Sequence, residues 1–154
     1  MGTDWRAVAN VFEADGSLRD IYVLDATPAD WQATLELVRA CYAPLRFTID
    51  DEPAELPIHV EDVLAFRPDA SPRLNFPVGG IDLACHFFGA DEVEFDLLPS
   101  AVDGPERLAA LLAFLGRLAL ATGKPVLLTG ENLRDVVYFR ADPATGAVEH
   151  MAPS

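Results

Sequence analysis

Basic side chains are scarce in this chain. Eleven Lys and Arg face 25 Asp and Glu in 154 residues, a formal net charge of −14. A surface that negative repels phosphate backbones and anionic lipid, which argues against nucleic acid or a membrane surface as a partner. A basic protein would be steered toward it. Cysteine is almost missing as well. Cys41 and Cys85 are far apart, match no Cys-x-x-Cys spacing, and read as buried free thiols in a reducing compartment. Only three histidines occur, no HExxH pair is present, and no acidic stretch has the alternating ligands and central glycine of an EF-hand loop. No cofactor is therefore expected. The longest apolar run, Leu108 to Ala121, is interrupted by Arg117 and is too short for a membrane span. Met1 to Asn10 carries Asp4 and Arg6 without an apolar core, unlike an export signal, so cytoplasmic residence is the expectation.

What remains is a chain rich enough in apolar residues to fold. Hydrophobic residues make up 51% of it, which rules out general disorder, and its length suits a single domain spanning 1–154 with its own core.

The most informative stretch runs from Ile81 to Gly123. Ile81, Leu83, Cys85 and Phe87 alternate with Asp82, Ala84, His86 and Phe88; Val93, Phe95 and Leu97 alternate with Glu92, Glu94, Asp96 and Leu98. Period-two alternation predicts two strands, each with one buried face. Keeping the apolar rows together requires an odd-numbered loop, Gly89-Ala90-Asp91, and this places His86 opposite Glu94 and Ala84 opposite Asp96. An apolar helix follows from Arg107 to Thr122, with Asp103 as the expected N-cap and Gly123 and Pro125 as the stop.

Before this stretch, Trp5 to Glu13 and Leu18 to Leu24 flank Asp15-Gly16-Ser17, which predicts an opening β-hairpin. Thr27 and Pro28 open an amphipathic helix carrying Trp31, Leu35, Val38 and Tyr42. Leu45 to Ile49 reads as a strand, Val60 to Phe66 as a short helix or strand, and Arg73 to Val78 as a strand whose Pro77 suits a sheet edge or bulge. After the long helix, Pro125 to Thr129 and Val136 to Arg140 read as strands, with a short segment at Val148. The expected fold is α+β: a mostly antiparallel sheet with two main helices packed on it. Two weakly similar strand-helix-strand halves, 1–66 and 73–151, are discernible.

Three sets of residues are candidates for function. His86, Glu94 and Asp96 share a polar strand face and could hold a metal or act as an acid/base group, although the same pattern describes an ordinary solvent face. Asp50, Asp51, Glu52 and Glu55 form an acidic loop, either a plain exposed turn or a docking loop for a basic partner. The polar stretch Thr129 to Arg134 could line a binding mouth. The leading expectation is a non-enzymatic acidic domain that binds a basic protein, in concrete form a bacterial immunity or inhibitor-type protein. The alternatives are a metal-binding or hydrolytic enzyme using the His/Glu/Asp cluster, and a subunit of a larger assembly.

Overall fold

The fold was taken from a computed structural model, which describes residues 4–151; the first three residues of the Met1 to Asn10 segment and the last three of the chain lie outside the described residues. One nine-stranded sheet forms the frame. Its strands are β1 (Arg19–Leu24), β2 (Arg46–Ile49), β3 (Glu52–Pro53), β4 (Pro72–Val78), β5 (Ile81–Gly89), β6 (Glu92–Leu97), β7 (Val126–Gly130), β8 (Leu133–Ala141) and β9 (Val148–His150). They lie in the order β3-β2-β4-β5-β6-β1-β7-β8-β9, and all pairs are antiparallel. Helices α1 (Trp5–Val8), α2 (Pro28–Cys41), α3 (Val60–Leu64) and α4 (Pro105–Thr122) complete the α+β domain. The sheet interleaves the two halves of the sequence, because β1 sits between β6 and β7.

The core follows from the alternation. Ile21 and Val23 of β1, Leu83, Cys85 and Phe87 of β5, and Val93, Phe95 and Leu97 of β6 are all buried in one cluster with the helices. On α4, Leu108, Leu111, Phe114, Leu115 and Leu118 provide the facing stripe, while Leu120 is exposed. Trp31 of α2 and Tyr42, the C-cap of that helix, are buried, Trp31 stacking on Phe87 and donating its indole N–H to the Gly89 carbonyl at 3.0 Å. Their spacing serves packing.

Local signals account for most boundaries. Thr27 caps α2 with a reciprocal bond to Asp30, and Gly123 ends α4 in the left-handed region at φ 69°. Pro77 lies where β4 has a single neighbour, since β2 pairs only with Pro72 to Asn75. The Gly116 position permits a close approach: a Cβ there would lie 2.4 Å from the Gly146 carbonyl oxygen.

Three expectations are corrected. Trp5 to Glu13 is not a strand but α1 followed by a 3-10 turn, Ala9–Phe12, so the opening hairpin does not form. Both edges of β1 are already paired, to β6 and β7, and the buried Arg19 guanidinium takes the Val11 carbonyl at 2.7 Å instead. The N-cap of α4 is Gly104, with the helix starting at Pro105, because Asp103 pairs with Arg107 across 3.7 Å. Of the two thiols, Cys85 is buried as expected but Cys41, at the last residue of α2, is exposed.

Candidate functional site

The helices cover one face of the sheet. The opposite face, accessible at Arg73, His86, Glu94 and Asp96 but buried at Asp20, Tyr22, Ala84 and Thr129, is built by the alternate residues of each strand, and two cross-strand rows run through its centre. In the first, Arg73, His86, Glu94, Tyr22 and Leu127 are successive neighbours on β4, β5, β6, β1 and β7. In the second, Asn75, Ala84, Asp96, Asp20 and Thr129 occupy the same strands. Opposed residues in such rows have Cβ atoms roughly 5 Å apart, so their side chains interact.

The predicted register of the β5–β6 hairpin is the observed one: His86 opposes Glu94 and Ala84 opposes Asp96. The loop is tighter than expected, with Gly89 paired to Glu92 and an irregularity between His86 and Gly89 absorbing the extra residue. His86 does not bond its opposite neighbour. Its Nε2 donates to Asp96 Oδ2 at 2.6 Å, diagonally across the pair, and its ring stacks on Phe88 with centroids 5.1 Å apart. Glu94 is thereby left without that partner. Burial pushes its carboxyl up to about 7, helped by the nearby Asp20 and Glu92 carboxylates and opposed by His86.

Asp20 and Tyr22 enter the cluster from β1. Asp20 is only 3% exposed; its Oδ2 accepts from the Tyr22 hydroxyl at 2.8 Å and from the Asn132 backbone N–H at 2.8 Å. Burial raises the Asp20 carboxyl above its usual range against the effect of those two bonds, and burial and the Asp20 acceptor together raise the Tyr22 hydroxyl. Asn132 and Arg134 come from the segment Thr129 to Arg134. This segment folds back over the face: Arg134 pairs with Glu92 and lies over the Tyr22 ring at 5.2 Å, while Glu131 accepts from the Leu18 N–H at 2.6 Å. Asn132 holds φ at 58°, which Asn tolerates better than most residues.

Among the described residues no three His, Cys, Asp or Glu side chains are disposed to hold one metal ion. His86, Glu94 and Asp96 share the face without converging on one point. Chemically, the cluster offers a carboxyl that can be neutral or charged near neutral pH, an Asp–His pair, and a phenol–carboxylate pair.

The acidic loop lies at the sheet edge, where Asp50 and Asp51 line one groove with Arg67, Arg73 and His86. Asp50 and Asp51 form the two-residue turn of the β2–β3 hairpin with φ of 50° and 68°, and Asp50, Asp51, Glu52 and Glu55 are all exposed. Aspartate suits such a turn, so these carboxylates have a local reason to be there. No helix among the described residues is long and apolar enough to cross a membrane.

Asp20, Tyr22, Asn132 and Arg134 were not expected to join the His86 face. Their pairing links β1 to strands from the far end of the chain, and no local pattern reports it. The one available signal was the alternation Asp20-Ile21-Tyr22-Val23, which puts both polar groups on one side. Compared with known protein families, curated proteins and solved structures, the chain shows no match to any of them.

Proposed function

We propose that this chain is a non-enzymatic, acidic protein-binding domain whose open sheet face receives a basic protein, in its specific form a cytoplasmic bacterial immunity or inhibitor-type protein that neutralises a cationic toxin. The observation that supports this reading is Glu94 at the centre of the face, half-buried and crowded by Asp20 and Glu92. A carboxylate in that position destabilises the free fold. A guanidinium or ammonium brought by a partner would relieve it, so that local cost becomes binding energy. The net charge of −14 and the exposed Asp50, Asp51, Glu52 and Glu55 supply long-range attraction.

The experiment is affinity capture at ionic strengths of about 0.01 M and about 0.15 M, which change the screening length from roughly 30 Å to roughly 8 Å. Wild type is compared with a Glu92→Gln, Glu94→Gln variant. A basic protein retained strongly at low salt, weakly at high salt, and poorly by the variant supports the reading. Retention that ignores both salt and variant refutes it.

A second reading is favoured by one observation, a carboxyl at about 7 beside an Asp–His pair: acid/base chemistry at Glu94, His86 and Asp96. Turnover of any hydrolysable substrate that is lost in Glu94→Gln and in His86→Ala would favour it over binding.

A further inference from the structure

Beside the Asp96–His86 pair, toward the β2–β3 turn, lies a groove of mixed charge that holds two guanidinium groups. It encloses about 370 Å³ and is lined by Arg67, Ser71, Arg73, His86 and Phe88, with Asp50 and Asp51 on the loop side. Arg73 sits directly across from His86 in the β4–β5 ladder. Among the described residues neither Arg67 nor Arg73 has a carboxylate within ion-pair distance. In a chain with 25 acids for 11 bases, two guanidinium groups that line one groove without a direct ion pair, even with Asp50 and Asp51 on its loop side, are unexpected.

The arginine side chains are also arranged rather than merely exposed. The Arg67 guanidinium lies 5.4 Å from the centroid of Phe88, and Phe88 stacks on His86. Stacking on an aromatic ring holds the guanidinium in place while Nη1 donates to Ser71 Oγ at 3.5 Å; the remaining N–H donors of a pre-placed guanidinium bind a planar anion at a lower entropy cost. Ser71 is held by two bonds to Asp50: its N–H donates to Asp50 Oδ1 at 2.9 Å, and its carbonyl accepts from the Asp50 N–H at 3.1 Å. This fixes the groove wall. The Asp50 and Asp51 carboxylates offset part of the arginine charge, so the groove suits a singly charged group better than a multiply charged one. Phe88, 55% exposed, offers apolar surface beside it.

We propose that this groove binds a carboxylate attached to an apolar or aromatic body, through Arg67 and Arg73, with Phe88 packing against that body. Such a carboxylate can come from a free organic acid or from the C-terminus of a peptide. The site is independent of the basic-partner reading, since it uses the cations of the face rather than its acids.

The test is a titration of the full chain followed by side-chain and amide NMR. The probes are benzoate, a short peptide ending in Phe with a free carboxylate, and the same peptide amidated. Saturable shifts at Arg67, Ser71, Arg73 and His86 with either carboxylate, none with the amide, and at least about tenfold weaker binding in Arg73→Gln and in Arg67→Gln are expected. Arg140→Gln, five strands away along the sheet from Arg73, should bind as wild type. Whichever carboxylate binds more tightly identifies the source. Shifts that never saturate in the millimolar range, equal binding of the amide, or unchanged binding in both groove variants would overturn the proposal.

Discussion

Replacing Glu94 by Gln tests the energetics of the carboxylate face. The carboxyl moves from an ordinary 4.5 to about 7, first by burial and then by Asp20 and Glu92. At about 1.36 kcal/mol per pKa unit, holding this group ionised costs the folded state up to about 3 kcal/mol. Glu94 keeps some solvent contact, and screening reduces the figure to about 1–2 kcal/mol. Between pH 4.5 and about 7 the folded protein binds a proton that the unfolded chain has released, so stability falls as pH rises through that window. Glutamine occupies nearly the same volume and carries no charge. Urea denaturation should therefore find Glu94→Gln more stable than wild type by about 1–2 kcal/mol at pH 8, and nearly equal to it at pH 4. An equal difference at both pH values would show that charge is not the cause. A less stable variant at pH 8 would show that Glu94 is well satisfied, and that the face has no unmet demand for a cation.

Three other perturbations probe the frame around the site. Arg19→Met removes the buried guanidinium that takes the Val11 carbonyl and pairs with Asp15; it should cost about 2 kcal/mol in urea unfolding and expose the segment before β1 to protease first. Gly116→Ala places a Cβ against the Gly146 carbonyl oxygen, backbone that cannot swing aside, and should lower stability by about 1–3 kcal/mol on thermal unfolding. Asn132→Val forces a β-branched residue into φ 58° and should cost about 1–2 kcal/mol, with faster amide exchange at position 132, whereas Asn132→Gly should preserve the turn.

The parts of this molecule that could be read from sequence are those fixed by neighbours in the chain. The β5–β6 register followed from alternation alone, because a one-residue slip would have put Val93 and Phe95 beside His86. Thr27, Pro28 and Gly123 marked helix ends through bonds made within a few residues. The segment around α1 could not be read this way. Val8, Val11 and Phe12 fit a helical turn as well as a strand, and Asp15-Gly16 resembles a hairpin turn. What decided between them was the occupation of both β1 edges by β6 and β7, a long-range event. The site divides in the same manner. His86, Glu94 and Asp96 lie on one hairpin and were visible together, but the diagonal choice of Asp96 over Glu94 depends on side-chain geometry. Asp20 and Tyr22 join only through the β1–β6 ladder, and Asn132 and Arg134 only because the β7–β8 turn folds over it.

Proton exchange on binding tests the proposed role of Glu94 most directly. Titrating the captured partner into the protein by calorimetry at pH 7, in two buffers of different ionisation heat, measures the protons exchanged on binding. Net proton release is expected, because a cation beside Glu94 would return its carboxyl toward ordinary acidity, and this release should disappear in Glu94→Gln. Proton uptake, no exchange, or a release unaffected by that substitution would contradict that role.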